Sequence, residues 1–322
     1  MRRRACLALL ALAGWPALAQ SRRPKILYFT LSPLSDPPSR ERQAFLDGLR
    51  ERGYVPGRNI EIVYRTAEGA EDFLDDMAQD AVAQKPDVIV VLGGVPLAAM
   101  RKATSTIPIV ATIGDPLISG GVRSLSRPEG NVTGVSFLST ELAAKRVQLI
   151  KEFLPGAKRV AVLWDSRSAT ASTESRRTME ALRRLEVAAV PFALASEAEL
   201  RAAMVRMRES RPDVLYVVLE GTLVGSNRAA IAEFGLKSRI AVVSGYAFLT
   251  EAGGFMSYAP DIAALFRRSV SYVDRILKGA KPSELPVEQA ETVELIVNMK
   301  TAKALGISVP HALLVRADKV IE

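Results

Sequence analysis

The chain has 322 residues, 48% of them hydrophobic, with 43 lysines and arginines against 35 acids, one histidine and one cysteine. That is enough apolar chain for two folded units of about 150 residues each. A formal charge of +8 without a basic run of the kind that tracks a phosphate backbone argues against nucleic-acid binding, a single histidine, His311 beside Pro310 near the C-terminus, argues against a His-based triad and excludes a multi-histidine metal site, and a lone cysteine leaves no disulfide framework.

The first predicted element is a leader. Arg2, Arg3 and Arg4 precede an apolar stretch from Ala5 to Ala13, and Ala17-Leu18-Ala19 supplies a small-x-small cleavage pattern ending near Ala19. The stretch is shorter than the ~20 residues that a membrane-spanning helix needs. Cys6 lies inside the leader, so no cysteine stands at the cleavage site to carry a lipid. Removal of residues 1–19 takes three of the eight net positive charges with it and leaves an exported, periplasmic protein without disulfides.

From about residue 24 to residue 245, short β-branched runs alternate with amphipathic stretches, the pattern of a parallel sheet flanked by helices. Lys25 to Thr30 reads as a strand, and Ser39 caps a helix to Arg52 whose apolar face carries Phe45, Leu46 and Leu49. A second strand spans Asn59 to Tyr64, a helix runs from Asp72 to Ala83, and Val88 to Leu92 is a strand buried on both faces. A short helix from Leu97 to Thr104, a strand from Ile109 to Thr112 and an extended segment from Asn131 to Phe137 follow.

Thr140 is placed as the cap of a helix to Phe153, and the alternation then restarts. Strands are predicted at Val160 to Trp164, Ala188 to Leu194, Val214 to Leu219 and Ile240 to Gly245, with helices near 172–186, 197–209 and 225–235. Beyond Gly253-Gly254, an extended piece (Phe255 to Tyr258), a helix over 261–278, a second extended piece (Leu285 to Gln289) and a strand-helix pair close the chain. The expected fold is α/β, with two doubly wound parallel-sheet lobes: 24–135 with 259–285, and 138–257 with 287–322. Crossings near 135–138, 257–260 and 285–289 give a three-strand hinge, which restricts the lobes to opening and closing.

Signatures of catalysis are scarce. His311 lies between Pro310 and Ala312 with no ligand-like partner in sequence, Gly221 to Ser226 lacks the Gly-Lys-Ser/Thr ending of a phosphate loop, and no G-x-S-x-G elbow occurs. No catalytic residue, metal site or cofactor is assigned. What remains is a set of residues just after strands, where open α/β sheets bind ligands. In the first lobe these are Thr30, Leu31 and Ser32, then Gly93, Gly94 and Val95, then Gly114 and Asp115. In the second they are Asp165 and Ser166, Glu220, Gly221 and Thr222, and Tyr246, with Ser257 and Tyr258 on the second crossing.

Each has a plainer alternative. Gly93-Gly94 is either a tight turn or a backbone cradle for a carboxylate. Asp115 before Pro116 is either a turn cap or a cleft residue. Tyr246 and Tyr258 either pack the lobes or stack on a ligand. Asp165 and Glu220 facing one cleft suggest acid-base chemistry or recognition of an amine, and in the absence of other catalytic groups recognition or solvent exposure is preferred.

The tail carries a resemblance. Leu285 to Gln289 (LPVEQ), Glu294-Leu295-Ile296-Val297-Asn298 with Lys300 to Gly306, and Arg316-Ala317-Asp318 before Val320-Ile321-Glu322 resemble the closing signature of ABC-type substrate-binding proteins. The characterised branch of that family includes TrpX-like aromatic amino acid binders. Ala103 to Val110, Gly114-Asp115-Pro116, Arg127-Pro128 with Gly130 to Gly134, and Ser257-Tyr258 with Asp261 are further family-like stretches.

The resemblance implies a type I periplasmic binding protein, monomeric, that captures a small polar or aromatic ligand in the interlobe cleft and hands it to an ABC permease driven by a cytoplasmic ATPase. A sensory protein feeding a membrane receptor or kinase is the alternative on the same fold. The chain departs from the family pattern at Val95, where a Gly-Thr-Pro or Gly-Ser motif is frequent, and at Asp165, where Asn-Pro is frequent. Val95 lacks a hydroxyl donor, and Asp165 adds a negative charge.

Overall fold

A computed structural model describes residues 22–218 and 222–322. The leader read over residues 1–19 lies outside the described residues, as do Glu220 and Gly221. No helix among the described residues is long and apolar enough to cross a membrane.

The strands are β1 (Lys25–Thr30), β2 (Glu61–Thr66), β3 (Val88–Leu92), β4 (Ile109–Ile113), β5 (Val132–Ser136), β6 (Arg159–Asp165), β7 (Ala188–Leu194), β8 (Val214–Val217), β9 (Ala241–Ser244), β10 (Met256–Pro260), β11 (Glu288–Gln289), β12 (Val293–Asn298) and β13 (Lys319–Ile321). The helices are α1 (Arg40–Glu51), α2 (Leu74–Ala83), α3 (Gly94–Ala103), α4 (Ala143–Phe153), α5 (Ala169–Arg184), α6 (Glu197–Ser210), α7 (Thr222–Ser226), α8 (Arg228–Ser238), α9 (Ala247–Glu251), α10 (Ile262–Leu277), α11 (Met299–Leu305) and α12 (His311–Leu314).

Two sheets result. The first has the order β11-β5-β4-β3-β1-β2 and is parallel throughout; the second has the order β13-β12-β10-β9-β8-β6-β7, with only β10 and β12 antiparallel. In chain order within each sheet, the first five strands run 2-1-3-4-5 in both, so each sheet reverses its winding between its first and third strands. Such a switch point opens a crevice at the carboxyl ends of the strands. The crevice is framed by β1 and β3 in one lobe and by β6 and β8 in the other.

The alternation that marks these strands works because both faces of each sheet are covered. Ile89 and Val91 pack with Leu74, Ala78 and Met100 on one side, while Val88 and Val90 join the core under α1 and α10. Helix α10 buries Leu265, Phe266, Ser269, Val270, Tyr272, Val273 and Ile276 at helical spacing, and it packs on α1 and on β3, β4 and β5. It therefore returns to the first lobe after β10 has run in the second. The chain passes between sheets three times: over residues 137–142, at Asp261, and over residues 290–292.

Differences from the sequence reading are local. Thr140 does not cap α4, which begins after Leu142; its hydroxyl instead donates to Asp115 Oδ2 at 2.9 Å. Helix α3 starts at Gly94 rather than Leu97, because proline in the first turn of a helix has the right φ and no needed N–H, so Gly94-Val95-Pro96 opens the helix.

Candidate functional site

Between the two sheets lies a cleft of about 410 Å³, within the range of small-molecule sites. Its first-lobe wall is the end of β1 with the following loop, the start of α1, the β3–α3 turn and Thr112; the second lobe contributes Ser168, Gly225, Arg228, Tyr246 and Phe248. Four long helices present their N-terminal ends here. Ser39 caps α1 by accepting from Arg42 N–H, Ser168 caps α5 by accepting from Ala171 N–H, and Asp261 caps α10 by accepting from Ala264 N–H.

Helix α3 differs. Its N-cap is Gly93, at φ 89°, a conformation that glycine adopts at no steric cost and that turns the chain sharply out of β3. Gly93 has no side chain to offer, so the first N–H groups of α3, those of Gly94 and Val95, have neither an intrahelical acceptor nor a cap. Next to this turn Thr112, at the end of β4, lines the same cleft with 1% exposure, and its Oγ1 is buried with no partner among the described residues. Orphan donors and a helix N-terminus in one corner suit a carboxylate.

The rest of the lining is aromatic. Tyr28, Phe137, Tyr246, Phe248 and Phe266 surround the space. Phe137 meets Tyr246 edge-on at 6.1 Å, and Tyr246 lies 5.6 Å from Phe248. Burial pushes the Tyr28 hydroxyl far above its ordinary range, and Tyr64 and Glu41 add to the rise against the pull of Arg42, so it is a neutral donor. Three charges reach the cleft. Arg42 lies over the Tyr64 ring and donates to Ser35 O, Arg228 lies over Phe248 and donates to Gly225 O at 3.1 Å, and Glu41 has no ion-pair partner among the described residues.

Of the residues singled out in the sequence, Thr30, Leu31, Ser32, Gly93, Gly94, Val95 and Tyr246 line this cleft together. Gly93 is at once a tight turn and the end of an uncapped helix. Glu220 and Gly221 fall outside the described residues, and Gly114, Asp115, Asp165, Ser166, Ser257 and Tyr258 lie elsewhere. Asp115 Oδ1 caps its own turn through Leu117 and Ile118 N–H, its Oδ2 takes the Thr140 hydroxyl, and the Gly114 carbonyl accepts from Ser136 Oγ. Ser166 Oγ donates to Leu194 O. Ser257 and Tyr258 are inside β10 of the second sheet rather than on a crossing; Ser257 is fully buried and the Tyr258 carbonyl receives Arg146. Thr222 opens α7.

Asp165 is neither solvent-exposed nor open to a ligand amine. It is 1% exposed and takes a two-pronged hydrogen bond from Arg167, at 2.9 Å from Nε and 2.7 Å from Nη2. The same guanidinium reaches across to Glu71 of the first lobe at 3.1 Å, forming an interlobe latch. Three acids crowd one cation there. Burial raises Glu71 above the ordinary 4.5; Arg167 opposes this, and Asp165 and Asp72 add to it. A carboxyl raised in the folded state gives stability that is complete below pH 4.5 and is lost as pH climbs through the raised value. Glu71→Gln, which mimics the protonated form, is expected to raise the melting temperature at neutral pH by about 1–2 °C and flatten its pH dependence. Melting curves of both proteins from pH 4 to pH 8 check this, and a lower melting temperature for the variant at neutral pH would refute it.

Sequence reasoning missed Thr112, Glu41, Arg42, Phe137, Ser168, Arg228, Phe248 and Phe266 in the cleft wall. Thr112 carried a usable signal, since it ends a strand as Thr30 does. Arg228 and Phe248 gave none, as they sit on helices that follow the strand ends.

A further polar centre lies beneath the crossings. Arg146 of α4 is 1% exposed, and its Nε donates to Tyr258 O at 2.8 Å while Nη1 donates to Ser139 O and Glu174 Oε1, each at 2.9 Å. Tyr216 Oη donates to the same Glu174 oxygen at 2.8 Å. The guanidinium lies flat on Gly245, where a Cβ would come within 2.5 Å of Cζ. Burial works against the Arg146 charge, but Tyr216 and Glu174 outweigh it and hold the group above its ordinary range. Burial likewise pushes Glu174 up, while the donors from Arg146 and Tyr216 favour its ionised form, so the two make an ion pair.

The family profile described as ABC transporter substrate binding protein matches residues 33–321. A tyrosine-binding protein of Clostridioides difficile is 25% identical over 279 residues, covering 85% of this chain and 79% of its own length. Among solved structures, a conserved domain protein from Vibrio cholerae aligns with a TM-score of 0.87 at 29% identity, covering 93% of this chain and 100% of its own. An ABC domain from Streptococcus pneumonia in complex with L-Trp aligns with a TM-score of 0.86 at 26% identity, over 93% of this chain and 100% of its own.

Proposed function

We propose that this chain, which belongs to the family of ABC transporter substrate-binding proteins, captures an amino acid with an aromatic or other large apolar side chain and delivers it to a membrane permease energised by a cytoplasmic ATPase. Members of the family are solute-binding proteins, not enzymes. The protein works as a monomer in the periplasm after loss of the leader at residues 1–19.

One observation carries the reading: the uncapped N-terminus of α3 and the unpartnered Thr112 hydroxyl meet in one corner of an aromatic cleft. The ligand carboxylate takes the N–H groups of Gly94 and Val95 and the Thr112 hydroxyl, so that three donors without acceptors among the described residues are satisfied together. Glu41 receives the ammonium. The side chain lies among Tyr28, Phe137, Tyr246, Phe248 and Phe266, where ring contacts add about 0.5–1.5 kcal/mol each beyond area burial. The Clostridioides difficile relative is a tyrosine binder and the Streptococcus structure holds L-Trp, which supports an aromatic amino acid over a sugar.

Thermal melting of the purified protein against a panel of L-amino acids, nucleobases, sugars and aromatic acids tests the proposal. Tyrosine, tryptophan or phenylalanine at one hundred times Kd is expected to add about 2.7 kcal/mol of stability, a rise of about 5 °C or more. A panel in which no amino acid shifts the transition, or in which aromatic acids lacking the ammonium bind as tightly as the amino acid, would refute it.

A further inference from the structure

At the far end of the second lobe, a surface cavity of about 500 Å³ is lined by Arg208, Arg211, Lys237, Ser238 and Arg239. These residues precede β8 and β9, whereas the cleft residues of that lobe follow them. The length of the sheet, about 13 Å over four strand residues, separates the two sites.

Arg208 lies in the last turn of α6 and Arg211 is its C-cap; Lys237 lies in the last turn of α8 and Arg239 is its C-cap. Cations at helix C-termini ordinarily answer the macrodipole, but two helix ends carry together only about one negative charge. Four cations converge here. Among the described residues Lys237 alone has an acid, Glu233 at 2.5 Å; the nearby Asp213 accepts the backbone N–H groups of Lys158 and Arg159 and keeps its negative charge, but Arg159, whose Nη1 donates to Ser210 O at 2.5 Å, brings a fifth cation to the end of α6. Roughly two positive charges remain unanswered.

Three further features make this a built site. Arg211 and Arg239 both adopt left-handed backbone, at φ 44° and 56°, where glycine or asparagine is the low-energy choice. Arg208 is braced over the Phe234 ring at 5.5 Å. The Ser238 hydroxyl, in the same cavity, is buried with no partner among the described residues.

We propose that this cavity binds a phosphate-class anion: a compact phosphate group, singly charged in a diester and more highly charged in a free phosphate, whose several acceptor oxygens the arginine forks and one hydroxyl fit together. The anion is either a free phosphate compound or the phosphodiester of a lipid headgroup. The site is independent of what fills the cleft.

Titration calorimetry with sodium pyrophosphate at low ionic strength is the first arm, and cosedimentation with phosphatidylglycerol vesicles, against phosphatidylcholine vesicles, is the second. Saturable binding in the first arm identifies a free anion; binding to phosphatidylglycerol alone identifies a headgroup. In either case Arg208→Gln, at an exposed position with ordinary helical backbone, is expected to weaken binding about tenfold. Ser238→Ala should weaken it by a smaller factor without lowering the melting temperature, and both variants should remain folded with wild-type cleft affinity. Absence of binding in both arms, or equal binding by wild type and both variants, overturns the proposal.

Discussion

Arg146→Met is expected to cost about 3–5 kcal/mol of unfolding stability, because breaking a buried ion pair on one side leaves the other charge uncompensated. Methionine fills much of the space beside Gly245 but donates nothing. Glu174 Oε1 would keep only the Tyr216 hydroxyl, Oε2 already has no partner among the described residues, and the carbonyls of Ser139 and Tyr258 would lose their donor. Against a total stability of about 5–15 kcal/mol this is a large loss. The double variant Arg146→Met, Glu174→Met removes both charges and should recover most of it, since buried pairs are often replaceable by apolar groups at little net cost. Urea unfolding followed through Trp164 in β6, the only tryptophan after residue 19, reads this directly. A single variant within about 1 kcal/mol of wild type would show that the pair is not the anchor its burial implies.

The second large effect has two opposite signs. Thr112→Val keeps the shape of a side chain that is 1% exposed and deletes a hydroxyl without a partner among the described residues. In the unliganded protein this removes a desolvated polar group, so stability should rise by about 1 kcal/mol. Toward a ligand carboxylate, the same deletion removes a charge-assisted hydrogen bond worth about 1.5–3 kcal/mol, lowering affinity at least about tenfold. Few substitutions are expected to stabilise the free protein and disable its binding together. Melting curves without ligand, with calorimetry of the amino acid selected by the panel, check both signs. Unchanged affinity beside a raised melting temperature would place the carboxylate elsewhere in the cleft.

Much of the architecture was legible because burial on both sheet faces leaves its mark in order: VIVVL for β3, VAVLW within β6, and the period of α10. The site was legible where it is backbone. Thr30 and Gly93-Gly94 follow strands, and a doubly wound sheet places strand ends at its crevice. It was illegible where a long side chain chooses between partners. Asp165 occupies a strand-end position like the others, yet Arg167, two residues on, folds back to consume it. Asp115 was claimed in the same way by its own turn and by Thr140. Arg228 and Phe248 belong to helices, and their approach to the cleft depends on how those helices dock, a long-range outcome that no local pattern encodes.

The Arg146 guanidinium also decides where the molecule bends. It grips Ser139 on the first crossing and Tyr258 just before the second, binding both strands of chain to the body of the second lobe. Torsional freedom is therefore confined to the short lengths on the other side of that grip: Leu138, already at a left-handed φ of 57°, the peptide at Asp261, and residues 290–292. In the strand orders these places adjoin β5 and β11 of one sheet and β10 and β12 of the other, away from the β2 and β7 edges. Glu71 follows β2 and Arg167 follows β6, beside the β7 edge, so a given twist at the crossings would displace this latch further than the strands beside them.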